Sequence, residues 1–382
     1  MLIYLGVYFS VFFLTFFAQN IKSDFDKNKK KDKLLIFIIL VFLIYVILVL
    51  PSVFRYGIGL DYFGDLNTIT NYKLTGTFAR TELITVLFGK IVYEYNLDNH
   101  YYFVFFAIFT NLGFVLAIFI NKDNKFLIRM YVLLCYAIYI TSYNQVRQSF
   151  GVAFGMLAFS IFYNYRSRTS ILIAYLVAII SALTHYSEII NLFLLSILYA
   201  FRYFNKYIKM KNLMITGYIL IIISPIILMI AKEMLELIPF YNKYSIYLTS
   251  NDNSAIVELR YFGSFYIYIV PLVTMFYFVN NFGFDEDDYM LKVIFIYLTA
   301  SIGFMFTSML LTNLMFADRA RTLIYGAEII SFPYLVDKLK GKAKKSYLIV
   351  TMLLMLTITI GTFEVGKMYP YRSIFNKDLI IY

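Results

Sequence analysis

The stretch YVLLCYAIYITSYNQVRQSFGVAFGMLAFSIFYNY, Tyr131–Tyr165, holds one charged side chain, Arg147. As a single straight helix it would run to roughly 50 Å, well beyond a hydrocarbon layer of about 30 Å. Basic residues flank it on both sides: Lys122, Lys125 and Arg129 before or at its start, Arg166 and Arg168 after it. Lys and Arg collect in cytoplasmic loops, so both flanks belong on one side and the run crosses an even number of times. Its polar centre, Asn144, Gln145, Arg147 and Gln148, is then the turn of a broken-helix hairpin. The half-runs are only about 20–26 Å long, which puts the tip in a depression below the outer surface.

The next run, Ile171–Phe201, repeats the pattern. It is broken at His185 and Glu188 and followed by Arg202, Lys206, Lys209 and Lys211, so it reads as a second hairpin. Toward the N-terminus lie Tyr101–Ile120, Leu34–Leu50 and Met1–Ala18, the last read as a helix and not a cleaved leader. Lys22, Lys27, Lys29, Lys30, Lys31 and Lys33 separate the first two runs and mark the cytoplasm. Between Pro51 and His100 the apolar pattern fails, and residues 52–100 read as a long external loop with a short helix near Glu82–Tyr95. Toward the C-terminus the runs are Leu213–Ile230, Tyr261–Val279, Leu291–Leu311, Leu323–Leu335 and Tyr347–Phe363, with Lys338, Lys340, Lys342, Lys344 and Lys345 on the inner side. The acidic segment Asp285–Asp288 also falls inside, which the rule permits because carboxylates weigh little in it.

The expected fold is therefore an all-α polytopic membrane protein of about twelve transmembrane helices (range ten to twelve), both termini outside. It forms one integral membrane domain over residues 1–382, with a motif-bearing half at 34–201 and C-terminal helices at 212–382. Composition agrees: 61% hydrophobic and 15% charged residues with a mean hydropathy of +0.72. A soluble domain has roughly a quarter charged residues, so a soluble enzyme, a secreted scaffold and a nucleic-acid-binding module are excluded. The net charge of +11 is accounted for by cytoplasmic loops. One cysteine, Cys135, and two histidines leave no basis for a disulfide framework or a multi-histidine metal centre. Most of the 37 tyrosines read as interfacial anchors, and His100 as an interfacial residue.

A charge at membrane depth costs at least about 2.5–3.5 kcal/mol, so each one asks for a reason. Arg147, His185, Glu188, Arg319, Arg321 and Glu328 are the exceptions here. The two-hairpin threading puts Arg147 and His185 on the outer side, together with Arg55, Asp61, Arg80 and Glu82 of the long loop and with Arg319 and Arg321. Guanidinium forks match phosphate oxygens and stay charged when partly desolvated, so an arginine-lined outer cavity suits a lipid-linked phosphate or diphosphate. Each residue also has a plainer reading. Arg147 could bridge to Asp61 or Glu82, His185 could be a packed histidine at a helix break, and Arg319 and Arg321 could reach headgroups.

Phe54-Arg55-Tyr56-Gly57-Ile58-Gly59-Leu60-Asp61-Tyr62 resembles the Arg-x-Gly-x-Gly-x-Asp-Tyr opening of the EpsG-type family, within the wider Wzy-like O-antigen and capsular polysaccharide polymerases. Glu82 is similar to the Glu that begins that family's next element, although Leu83-Ile84 stands where Pro-Gly is usual. Asn144–Phe150 resembles its Arg-Gln signature, followed by the small residues Gly151, Ala153, Gly155 and Ala158, and Thr184–Ser187 its His-x-Ser break. The likeness is good over Val53–Leu195. Beyond that it rests on Arg319 and Arg321 before a helix ending near Pro333.

The resemblance implies an exopolysaccharide-biosynthesis glycosyltransferase of the bacterial plasma membrane, with its active site facing the exterior or periplasm. It joins undecaprenyl-diphosphate-linked oligosaccharide repeat units, donor and acceptor alike, with no cofactor or nucleic acid and in some systems a chain-length regulator. His185, with Asp61 and Glu82 as runners-up, is the expected base; Arg55, Arg147, Gln148, Arg319 and Arg321 are the expected diphosphate and substrate ligands. Other functions compatible with these residues are a flippase or exporter of the same lipid-linked oligosaccharide and an O-antigen-ligase-like transferase. A flippase would call for cations in the cytoplasmic half of the membrane, where the sequence offers none.

Overall fold

The structure, a computed structural model, describes residues 2–59, 61–76, 82–236, 255–282, 288–310, 321–365, 368 and 371–381. Helices α1 (Leu2–Asn28), α2 (Lys31–Phe54), α3 (Tyr62–Thr75), α4 (Leu83–Glu94), α5 (Tyr101–Phe119), α6 (Phe126–Cys135), α7 (Ile138–Thr141), α8 (Val146–Asn164), α9 (Arg168–Thr184) and α10 (Ile189–Phe204) come first. Then follow α11 (Met210–Glu236), α12 (Ala255–Asn281), α13 (Tyr289–Leu310), α14 (Arg321–Lys338) and α15 (Gly341–Val365). The chain ends in an antiparallel hairpin of β1 (Tyr371–Ser373) and β2 (Asn376–Ile381). Over the described residues each apolar run expected to cross the membrane is built of helices, and the protein is an all-α polytopic membrane protein. Among the described residues eight helices are long and apolar enough to span; α6 and α9 are shorter apolar helices. The broken runs explain the short pieces, because each break ends a helix before it has crossed.

The chain divides into two compact units. The first comprises residues 1–192 and 356–382, the second residues 193–355. In the first unit α1 packs on α2, α2 on α5, α5 on α8 and α8 on α9. Lipid tails are as apolar as leucine, so such contacts depend on close fit more than on hydrophobic transfer. Small residues supply that fit: a Cβ at Gly113 on α5 would stand 2.9 Å from Ala153 Cβ on α8. Above this seam Phe106 meets Phe150 edge-on (5.8 Å), and Phe150 stacks on Phe154 (4.4 Å).

The hydrogen bonds fix the direction of each helix. Asn164 Nδ2 donates to Asn121 Oδ1 (2.7 Å), which joins the C-terminal ends of α8 and α5 and makes those helices parallel. Ser181 Oγ donates to Gly151 O (2.6 Å), which sets α9 antiparallel to α8. One end of the unit thus gathers the α1–α2 lysines, Arg166, Arg168 and the Asp123–Arg129 pair. Burial works against the Asp123 charge there, but the bonds from Arg129, helped by Lys125, hold its carboxyl below the usual range. The opposite end gathers the C-terminus of α2, the N-termini of α4 and α8, and the break after α9.

Two elements of this second end were not expected. The first is α3, which lies in what the sequence presents as loop. Its buried positions Tyr62, Asp65, Ile69 and Tyr72 have helical spacing. The second is the C-terminal hairpin. Tyr56 N donates to Arg372 O (2.9 Å) and Ile374 N to Phe54 O (2.9 Å), so the hairpin continues across the end of α2. Tyr371 Oη donates to Pro51 O (2.8 Å) and Tyr4 Oη to Met368 O (2.9 Å). His100 is an internal tie at this end, its ring 3.3 Å from Tyr62 Oη and bonded to Val53 O.

In the second unit α11 packs on α13, with Gly217 against Phe295 and Thr299. Ser224 Oγ donates to Gly303 O (3.0 Å) along the same seam. Asp288 joins the start of α13 to the end of α14 by accepting from Tyr334 Oη (2.6 Å) and pairing with Lys338 (2.5 Å). Glu328 is buried on α14 and accepts from Ser331 Oγ (3.2 Å).

Candidate functional site at the broken-helix end of the first unit

The first break opens where α6 stops at Cys135. Ala137 takes a left-handed conformation (φ +61°), and its N–H is satisfied by Thr359 Oγ1 (2.8 Å). Tyr139 Oη then reaches Leu48 O (2.9 Å) near the end of α2, after which the chain turns and enters α8 at Val146. The second break is a reversal. Asn191 Nδ2 lies 3.2 Å from Ser181 Oγ, whereas ten residues along a straight helix would separate them by about 15 Å. Glu188 sits on Gly151, where a Cβ would be 2.5 Å from its Cγ, and Asn191 occupies the space over Gly155. The two breaks meet at one end, where Arg55, Asp61, Asp65 and Glu82 also lie.

Arg147 projects from the first turn of α8 into a pair of carboxylates. Its Nη1 is 3.1 Å from Glu82 Oε1 and its Nε 3.6 Å from Asp65 Oδ1, with the three side chains only 15%, 6% and 6% exposed. The expected bridge to Glu82 is present. The other partner is Asp65, buried on α3, and not Asp61, which stands exposed just before that helix. Gln148 is buried beside Arg147 on α8. Asp61 is exposed; its backbone N–H donates to Asn144 Oδ1 (3.1 Å), which holds the loop against the first break. Gly59 makes that approach possible. Its φ is +91°, and a Cβ there would stand 2.6 Å from Tyr143 O.

Arg55 lies deeper. It is 1% exposed, donates from Nη1 to Ser142 O (3.3 Å), and lies over the rings of Phe103 (5.5 Å) and Tyr143 (5.2 Å). Among the described residues no carboxylate pairs with it, and its Nε has no hydrogen-bond partner. A buried guanidinium without a counter-ion is costly, and cation–π contacts of this kind offset only part of that cost.

His185 caps α9 in an extended conformation and is 5% exposed. Its Nδ1 is 2.6 Å from Ser187 Oγ, and Ser187 Oγ donates to Glu188 Oε1 (3.5 Å). Thr85, one turn along α4 from Glu82, donates to Thr184 O (3.2 Å) and so sets the His185 break beside the Arg147 cluster. Of the expected site residues, Arg55, Asp61, Glu82, Arg147, Gln148 and His185 thus share one end of the first unit. Arg80 and Arg319 lie outside the described residues, and of Arg321 only the backbone, at the start of α14, is described. Asp65 and Glu188 were not among the expected ligands. Glu188 could have been found from the His-x-Ser-Glu run; Asp65 lies on a helix whose polar face hides its inward positions. Among the described residues no group of three or more His, Cys, Asp or Glu could hold a metal ion.

A family model described as the EpsG family matches residues 38–373, from within α2 to the end of β1. Searches of the curated proteins and of the solved structures returned no match. The matched span takes in both breaks, the Arg55–Glu82 segment and the first strand of the terminal hairpin. The chain therefore belongs to the EpsG family, and it is a multi-pass membrane protein of exopolysaccharide-polymerase type.

Proposed function

We propose that the protein polymerises undecaprenyl-diphosphate-linked oligosaccharide repeat units at the outer face of a bacterial plasma membrane. The growing glycan passes from its lipid diphosphate to a hydroxyl of a fresh unit. The bond from the anomeric carbon to phosphate oxygen breaks, a glycosidic bond forms, and the hydroxyl proton goes to a base. The lipid diphosphate leaves with the bonding electrons. The activated donor already carries the free energy for transfer, so no nucleotide sugar enters the step. What supports this reading is the family match running through both breaks, together with the cluster of ionisable groups those breaks bring to one end.

The charge inventory divides the labour. Arg147 is already shared by Asp65 and Glu82, so this cluster suits sugar hydroxyls better than a diphosphate. Arg147 orders Asp65 and Glu82 as acceptors for the incoming sugar, with Gln148 beside them. His185 is the base, because its unperturbed pKa lies near working pH. Arg147 contributes as charge builds on the leaving diphosphate; Arg319 and Arg321 are the further diphosphate ligands assigned from the sequence. The basic end of the first unit faces the cytoplasm by the positive-inside rule, which turns the broken-helix end outward.

The test is reconstitution. Purified protein in detergent is given a synthetic diphosphate-lipid oligosaccharide with no nucleotide sugar. A ladder of products spaced by one repeat unit is expected; unchanged starting material, with folded protein verified, overturns the reading.

A further inference from the structure

We propose that Glu188 and Ser187 are positioning residues that fix the tautomer of His185, so that Nε2 is the nitrogen that accepts the acceptor-hydroxyl proton. The inference rests on the reading of His185 as the base and adds which nitrogen acts and what holds it. The geometry is a short chain of bonds. Nδ1 of His185 lies 2.6 Å from Ser187 Oγ, and Ser187 Oγ lies 3.5 Å from Glu188 Oε1. A carboxylate can only accept, so the single hydroxyl proton of Ser187 is directed to Glu188. Ser187 Oγ is left to accept, which places the imidazole proton on Nδ1 and the lone pair on Nε2.

The carboxylate is built in, not incidental. Glu188 is fully buried, and its Oε2 accepts from Asn191 Nδ2 (2.8 Å), so the carboxylate cannot rotate freely. Its Cγ rests on Gly151 of α8, at a site where any Cβ would collide with it. The 3₁₀ turn Tyr186–Glu188 places His185, Ser187 and Glu188 on one short loop, at the point where α9 hands over to α10. A negative group behind the imidazole also favours the imidazolium that forms as the proton arrives. Among the described residues, Glu82 at the start of α4 and Arg147 on α8 are charged groups on elements that meet this turn.

The sharpest test is the isosteric Glu188→Gln. Asn191 keeps the side-chain carbonyl on the Oε2 side, so the introduced amide NH2 faces Ser187 Oγ and donates to it. Ser187 must then donate to Nδ1, which moves the imidazole proton to Nε2 and removes the base. In the reconstituted assay kcat falls about 10²–10⁴-fold with KM for the donor within about threefold, the signature of a wrong tautomer. Should that variant fail to accumulate, Ser187→Ala decides instead, with an expected loss of about tenfold in kcat.

A wild-type kcat in Glu188→Gln, or in Ser187→Ala, overturns the relay. His185→Ala run alongside separates the two levels of the argument. An inactive His185→Ala with a fully active Glu188→Gln leaves the base in place and rejects only its positioning. A fully active His185→Ala rejects both.

Discussion

Asp65 and Arg147 are paired at 3.6 Å, Oδ1 to Nε, on a guanidinium whose Nη1 is held by Glu82 at 3.1 Å. The pairing explains why an arginine can begin a helix that is otherwise almost wholly buried. It also changes what Arg147 can do alone. A guanidinium shared by two carboxylates is an organiser of the acidic cluster before it is an anion receptor, and a diphosphate has to compete for it.

Arg147→Ala and Arg147→Lys should therefore differ in kind. Removing the cation takes the guanidinium away from two buried carboxylates, Asp65 and Glu82, at a cost of about 3–5 kcal/mol. Arg147→Ala is expected to reduce the folded yield in membranes as well as polymer. Arg147→Lys keeps the charge but loses the two-pronged contact, so membrane yield stays within about twofold while polymerisation falls at least tenfold. Detergent-solubilised yield by fluorescence-detected chromatography, read beside polymer length, separates the two. Normal yield and normal polymer from Arg147→Ala would remove Arg147 from the account.

Gly59→Ala tests the seating of the Asp61 loop. The backbone there is at φ +91°, and the added methyl would meet Tyr143 O at 2.6 Å. Strain of about 1–3 kcal/mol is expected, relieved by lifting the loop off the first break and breaking the Asp61–Asn144 bond. Polymer formation should fall, with a small loss of thermal stability. Gly64→Ala is the control: it lies inside α3, a Cβ there has nothing within 4 Å, and the change should be neutral or stabilising by about 0.5–1 kcal/mol.

The terminal hairpin gives a prediction of another kind. Deleting residues 368–382 removes the acceptor of Tyr56 N and the donor to Phe54 O, each bond worth about 0.5–1.5 kcal/mol net. It also removes Tyr371, whose hydroxyl reaches Pro51 O beside the buried Arg55. Amide exchange at residues 54–56 should speed up by an order of magnitude or more, while exchange in α8 and α9 stays slow. Unchanged protection at 54–56 would mean that the hairpin contributes nothing to this end.

These particulars show what a sequence can disclose. Helices α1, α2, α5 and α15 were legible because lipid demands long apolar runs, and the breaks at Asn144 and His185 because polar groups inside such runs stand out. Helix α3 was not, since its polar face outweighs four inward positions, one of them an aspartate. The Asp65–Arg147 pair is a contact between distant segments, and local pattern carries no sign of it. The hairpin escaped for a similar reason: Arg372 and Ile374 find their partners at Tyr56 and Phe54, more than three hundred residues away. Arg55 was legible as a motif residue, but its enclosure by aromatic rings was not.

Polymerisation at the outer face requires both breaks to lie at the outward end of the first unit. Cysteine labelling tests it most directly, because Cys135 is the sole native cysteine and is buried. In a Cys135→Ala background, Asn144→Cys and Tyr186→Cys report the two breaks, and Lys29→Cys and Ser167→Cys the opposite end. A membrane-impermeant maleimide added to intact cells should modify the first pair, and the second pair only after permeabilisation. Modification at positions 144 or 186 solely after permeabilisation would contradict the account.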